Sequence, residues 1–154
     1  MKSILKIFLI FGAALLIAGI SWTAAAEVIQ TQESDSWDGV EGDLIRVSVR
    51  NDILTLRFKF RNSGSDSADI QFLYKDCYIV DETNQKKYFM LKDSEGQFLG
   101  GPKDKDWDGG RFGFRIFGGS SKGCWMKFPV PADGPETISI TIPGFFPFEE
   151  VTID

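Results

Sequence analysis

The alternation of apolar and polar side chains over residues 53–61 constrains the fold of this chain more than any other feature. The segment reads Ile-Leu-Thr-Leu-Arg-Phe-Lys-Phe-Arg, with leucine and phenylalanine on one parity and threonine, arginine and lysine on the other. A period of two places successive side chains on opposite faces of a strand. The segment therefore predicts a β-strand with one face in a core and the other in water.

Shorter strands are predicted on both sides of this segment. Asn51 and Asp52 form a turn-like connection back to residues 44–49, which indicates an antiparallel hairpin. Residues 70–80 carry apolar side chains on both parities, which indicates either a β-bulge or burial on both faces. Further strands are predicted over residues 87–91, 124–128, 137–142 and 151–153.

No segment beyond residue 26 shows helical periodicity over a helix-length window. Short strands separated by turn residues, in a single domain of this length, predict an all-β fold. We expect an antiparallel β-sandwich of about seven strands, with a small barrel as the alternative architecture.

The first 26 residues are predicted to be a secretory signal peptide. Lys2 and Lys6 precede an apolar stretch over residues 7–20, and the run Ala24-Ala25-Ala26 provides small residues for cleavage. The alternative is an uncleaved anchor over residues 4–20, although this stretch is short for a membrane span. We therefore expect an extracytoplasmic protein, periplasmic or secreted, with a loosely ordered leader over residues 27–43 and a β-sandwich domain over residues 44–154.

Export gives the two cysteines a predicted role. In an oxidising compartment, Cys77 and Cys124 are expected to form one disulfide. The chain-entropy estimate for a loop of this length is about 4 kcal/mol of stabilisation. The alternative is a pair of buried, reduced thiols.

Four segments resemble the immunoglobulin-like domains of bacterial envelope proteins. They are residues 54–62 (Leu-Thr-Leu-Arg-Phe-Lys-Phe-Arg-Asn), 78–81 (Tyr-Ile-Val-Asp), 87–93 and 140–148 (Ile-Thr-Ile-Pro-Gly-Phe-Phe-Pro-Phe). The resemblance implies a β-sandwich and no particular activity. It departs from the antibody pattern because Trp125 directly follows Cys124, so the antibody disulfide position does not transfer to this chain.

Composition excludes several classes of function. The chain has no histidine, which removes Ser-His-Asp and Cys-His nucleophiles and every His-ligated metal site. Its formal net charge is −5, and phosphate binding needs a basic face, so nucleic acid is not an expected partner. The same charge argues against an anionic membrane surface, and membrane association is expected only through an uncleaved signal peptide.

An acidic turn offers the sharpest candidate for a metal site. Asp104, Asp106 and Asp108 stand at positions 1, 3 and 5 of a calcium-loop pattern, with Gly109 at position 6. Position 12 of that pattern is Arg115, where a bidentate acid is needed, so only weak calcium binding is expected. The alternative is a solvated acidic turn between strands. No other cofactor is expected.

Two tryptophans lie in polar or glycine-rich surroundings and are candidate ligand contacts. Trp37 and Trp107 are not part of an alternating strand. Exposed aromatic side chains on loops can stack on sugar rings or anchor a protein partner. The alternative is that both side chains cap the open end of the core.

These observations favour an exported, non-enzymatic binding or protein-interaction module of the cell envelope, whose partner is an envelope protein or a glycan. The alternative is a calcium-dependent or carbohydrate-binding module that uses Asp104, Asp106, Asp108 and Trp107. A third class is a hydrolase that works with carboxylates alone, which would need two acids converging in one cleft.

Overall fold

The computed structural model describes residues 27–104 and 110–153, which contain eleven β-strands and one turn of 3-10 helix, Tyr74–Asp76. The predicted signal peptide, residues 1–26, lies outside the described residues. The strands are β1 (Gln30–Glu33), β2 (Val40–Arg50), β3 (Ile53–Asn62), β4 (Ala68–Leu73), β5 (Tyr78–Asp81), β6 (Lys86–Phe89), β7 (Gly100–Gly101), β8 (Arg111–Ile116), β9 (Ser121–Pro129), β10 (Thr137–Thr141) and β11 (Phe148–Thr152).

The strands form one five-stranded sheet and two smaller sheets, and every pairing is antiparallel. The five-stranded sheet has the order β1-β2-β3-β9-β7. A four-stranded sheet has the order β11-β10-β5-β6, and β4 pairs with β8. The inner faces of the three sheets share one core cluster, in which Phe58 of β3 meets Phe148 of β11 and Phe60 of β3 meets Phe72 of β4. The prediction of an all-β sandwich is confirmed.

The predicted central strand is the best-defined element of the fold. In β3, Leu54, Leu56, Phe58 and Phe60 are at most 1% exposed, while Arg57 on the other parity is exposed. The predicted hairpin is also present, since β2 pairs with β3 through Asn51 and Asp52. Both turn residues have positive φ, 51° and 58°, which is the backbone of the two-residue turn that matches strand twist.

Residues 70–80 differ from both predicted alternatives. The structure divides them into β4 and β5, separated by the 3-10 turn Tyr74–Asp76. This turn moves the chain from pairing with β8 to pairing with β10. The change of parity in the sequence therefore marks a change of sheet. Such interruptions raise the number of strands above the predicted seven or so.

The predicted loose leader over residues 27–43 is corrected by the structure. β1 pairs with the first half of β2, and β2 begins at Val40, which is 2% exposed. The Thr31 hydroxyl donates a 2.7 Å hydrogen bond to the Asp43 carboxylate. β1 reads Gln-Thr-Gln-Glu and is polar on both parities, so it carries no apolar alternation from which a strand could be predicted.

Candidate functional site

A β-bulge in β2 determines which side chains the five-stranded sheet presents to solvent. The register of β2 against β3 shifts between Leu44 and Arg46, so Ile45 is the extra residue. A shift of one residue exchanges the two faces of a strand. Before the bulge, the outer face of β2 carries Glu41 and Asp43. After it, that face carries Arg46, Ser48 and Arg50, because each of these residues lies opposite an outward-facing residue of β3.

The bulge brings four cations together on one part of the sheet, which we call the basic face: Arg46, Arg50, Arg57 and Lys127. Arg46 lies directly opposite Arg57. Lys127 of β9 lies opposite Thr55, and Arg50 lies opposite Ile53. Neighbouring strands lie about 4.8 Å apart, and same-face residues follow at about 6.8 Å along a strand. The four cations therefore occupy successive steps along β3.

The basic face surrounds a shallow, open basin of about 510 Å³. The nine residues that line it include all four cations and no aspartate or glutamate. Among the described residues, none of the four cations takes part in an ion pair. Four unpaired cations therefore cluster on the surface of a chain whose formal net charge is −5.

The other half of the same sheet face is neutralised. The Arg61 Nε lies 2.5 Å from the Asp43 Oδ2, and its Nη1 lies 2.9 Å from the Glu41 Oε2. Burial opposes ionisation of Asp43, but hydrogen bonds from Arg61 and Thr31 outweigh it and lower the pKa of this carboxyl. The contrast between the two halves shows that the basic face is a local feature of the surface.

An aromatic side chain borders the basic face. Trp125 of β9 lies opposite Arg57 on one side and opposite Gly101 of β7 on the other. It is 38% exposed. The Lys127 Nζ lies 5.9 Å from the centroid of the indole ring, within the range of a cation–π contact.

This arrangement suits the binding of anions. Guanidinium groups form paired hydrogen bonds with carboxylate and phosphate oxygens. The sheet fixes the backbone positions of the four cations, so ligand binding has to order only their side chains.

The predicted calcium loop lies largely outside the described residues, which omit Asp106, Trp107 and Asp108. Asp104 is described, and it forms an ion pair with Arg111 and a β-bridge to the same residue. Among the described residues, no group of three or more cysteine, aspartate or glutamate side chains is placed to hold a metal ion.

Trp37 packs against the core. Its ring centroid lies 5.6 Å from that of Phe145, and the indole covers Gly144. In this position Trp37 caps the core, which is the alternative to a ligand contact that its sequence surroundings left open. Trp37 also lines a second open cleft, together with residues 64–69.

The predicted disulfide is absent, and Cys77 and Cys124 are both buried and free. Each thiol has its own contact. The Cys77 Sγ lies 3.6 Å from the Leu73 carbonyl oxygen, and the Cys124 Sγ lies 3.6 Å from the Tyr74 hydroxyl. The alternative of two buried, reduced thiols describes the structure.

Sequence reasoning missed the basic face and Trp125. The alternation over residues 53–61 did place Arg57 on the solvent side. The positions of Arg46 and Arg50 depend on the bulge, and that of Lys127 depends on the pairing of β3 with β9. One available signal was the change of apolar parity in β2, from Leu44 to Val47. The net charge of the chain gave no sign of the basic face, because a net charge is a sum over the whole surface and does not report local clusters.

Comparisons with known proteins give one structural similarity. No family model matches the chain, and no curated protein matches it. Among solved structures, the yjhA protein from Bacillus subtilis is similar with a TM-score of 0.49 and 12% sequence identity. That similarity covers 82% of this chain and 98% of the yjhA chain. Within the described residues, no helix has the length and apolar character needed to cross a membrane.

Proposed function

We propose that this chain is an exported, non-enzymatic binding module of the cell envelope that binds an anionic partner through the basic face. The observation that carries the proposal is the convergence of four cations around one open basin without any carboxylate in its lining. Unpaired cations that repel each other destabilise the folded state slightly. An anionic partner relieves that repulsion and gains charge-assisted hydrogen bonds.

Export and the absence of catalysis rest on the sequence. The basic head, apolar stretch and alanine run of residues 1–26 support secretion. The lack of histidine supports a role in binding, because the commonest general base is missing from the chain.

Charge reversal on the basic face tests this function. The probe is immobilised polyphosphate at about 0.15 M salt, where distant charges are screened. We expect the wild type to be retained, and Arg46→Glu/Arg57→Glu to lose about tenfold or more in affinity, because charge-assisted hydrogen bonds are lost.

The matched control is Lys75→Glu/Lys92→Glu, which changes the net charge equally at exposed positions outside the face. We expect this control to stay bound. Equal losses of affinity for polyphosphate in both double variants would show that binding depends only on net charge, which would contradict a site at the basic face. A wild-type protein that passes through without retention would refute the proposal.

A further inference from the structure

We propose that the ligand of the basic face is an acidic polysaccharide, a linear polymer of sugar rings that carry carboxylates, and that Trp125 is the platform on which one ring stacks. This inference rests on the proposed function of the same face. It adds the chemical class of the ligand and assigns a binding role to Trp125.

The indole of Trp125 lies across the neighbouring strand. A Cβ added at Gly101 would stand 2.8 Å from the indole Nε1 and 3.1 Å from Cε2. The missing side chain at Gly101 therefore leaves the space that the indole occupies. The Nε1, Cε2 and Cζ2 atoms of the indole lie beside Gly101 of β7, and 38% of the residue remains exposed. A ring supported in this way loses little conformational freedom when a flat ligand covers it.

The platform and the cations are contiguous. Arg57 is the cross-strand neighbour of Trp125, and Lys127 is the next residue of β9 on the same face. Both cations therefore lie about 5–7 Å from the platform by strand geometry. A ligand that uses the ring and the cations together needs an apolar ring face with an anionic group a few ångströms away. A sugar ring with a carboxylate has both within one residue.

The shape of the face favours a chain over a compact ligand. The cations stand in a row along β3, with Arg46 at the level of Arg57, Lys127 at the level of Thr55 and Arg50 at the level of Ile53. From Arg57 to the level of Arg50 the row spans about 14 Å. The open basin extends along this length. A linear polymer can place several of its charges on such a row.

Other polyanions use only part of this surface. Polyphosphate supplies the charges but has no ring for Trp125. An anionic membrane favours several apolar side chains that project beyond the cations. The basin has two aliphatic residues in its lining, both at the end near the hairpin turn: Ile53, which is half-buried, and Val49, which is 39% exposed. Single-stranded nucleic acid combines rings and charges, but proteins that bind it stack successive bases on several aromatic side chains, and among the described residues Trp125 is the exposed ring that borders the basic face.

The experiment compares four probes at about 0.15 M salt. They are polygalacturonate, polyphosphate, single-stranded oligothymidylate and vesicles that contain phosphatidylglycerol. We expect the wild type to bind polygalacturonate most tightly. Trp125→Ala is expected to lose about tenfold in affinity for polygalacturonate, the loss typical of a central aromatic anchor, and to keep its affinity for polyphosphate.

Two further variants make the comparison specific. Phe117→Ala removes another aromatic side chain, 65% exposed and outside the face, and should change nothing. Trp125→Tyr keeps a smaller ring and should retain part of the affinity for polygalacturonate. Unchanged binding of Trp125→Ala to polyphosphate also shows that the variant is folded.

The outcomes separate this inference from the proposed function. If Trp125→Ala binds polygalacturonate as the wild type does, the inference is wrong, while the loss of binding in Arg46→Glu/Arg57→Glu still supports the anion site. Tighter binding to oligothymidylate or to vesicles than to polygalacturonate also overturns the inference. If the wild type binds none of the four probes, both proposals are wrong.

Discussion

At the scale of single residues, the two thiols show how burial controls cysteine chemistry. Burial raises the pKa of the Cys124 thiol to about 12, against a smaller opposing effect of its contact with the Tyr74 hydroxyl. Burial also raises the pKa of the Cys77 thiol well above its usual range. The thiolate is the reactive form, so both groups are unreactive near neutral pH.

We therefore predict that iodoacetamide leaves the folded protein unmodified at pH 8. After denaturation without reductant, both cysteines should be alkylated, because neither is held in a disulfide. Intact-mass measurement gives the number of adducts. Denatured protein that takes up no label until a reductant is added would show a disulfide, and would contradict the free thiols of the structure. A sample reduced before denaturation serves as the positive control.

At the scale of elements, the loop between β1 and β2 is held by the loop between β10 and β11. Ser34 donates a 2.6 Å hydrogen bond from its hydroxyl to the Gly144 carbonyl oxygen. Trp37 then covers Gly144 and meets Phe145. Gly144 has a φ of +87°, so both its backbone conformation and the neighbouring indole exclude a side chain.

We predict that Gly144→Ala destabilises the fold more than Gly96→Ala. Gly96 has a similar φ of +79°, but nothing lies within 4 Å of an added Cβ. Gly96→Ala should therefore lower the free energy of unfolding only by the backbone term, about 1–2 kcal/mol. Gly144→Ala should lose about 1–3 kcal/mol more, since the methyl group overlaps Trp37. Urea denaturation measures both, and equal losses would mean that Trp37 moves aside freely.

At the scale of the whole molecule, the aromatic core joins the three sheets. Phe60 of β3 lies 5.7 Å from Phe72 of β4, 5.1 Å from Phe112 of β8 and 4.8 Å from Phe145, between ring centroids. The buried apolar residues within 27–104 and 110–153 form one cluster, so the three sheets share a core. Removing one central ring should therefore weaken all three sheets together.

We predict that Phe60→Ala lowers the free energy of unfolding by about 3–5 kcal/mol. Thermal unfolding should remain a single transition, in both far-ultraviolet and near-ultraviolet circular dichroism, at a lower Tm. Phe117→Ala, at a 65% exposed position, is the control and should leave Tm unchanged. Two separated transitions in Phe60→Ala would show that the sheets unfold independently.

Much of the fold could be predicted because strand patterns are local. The alternation over residues 53–61 predicted β3 almost to its ends, and Asn51 with Asp52 predicted the hairpin to β2. The polar strand β1 and the break between β4 and β5 could not be predicted in the same way. β1 is polar on both parities, and the break between β4 and β5 depends on partners far along the chain, β8 and β10.

The candidate site was less predictable than the fold. Arg57 was placed on the solvent face by its parity alone, but nothing in the pattern joined it to Arg46 or Lys127. The bulge at Ile45 and the pairing of β3 with β9 made them neighbours. The indole of Trp125 has room beside β7 because Gly101, 24 residues earlier in the chain, pairs with it and carries no side chain.

By itself, the sequence determined that alternating segments such as residues 53–61 become strands and which of their faces are apolar, since each residue's partition between water and core follows from its own side chain and its nearest neighbours. The tertiary structure alone decided that the two thiols are not bonded to each other and that an acidic chain carries a basic face. These features depend on register, and register is set by contacts between strands that are distant in the sequence.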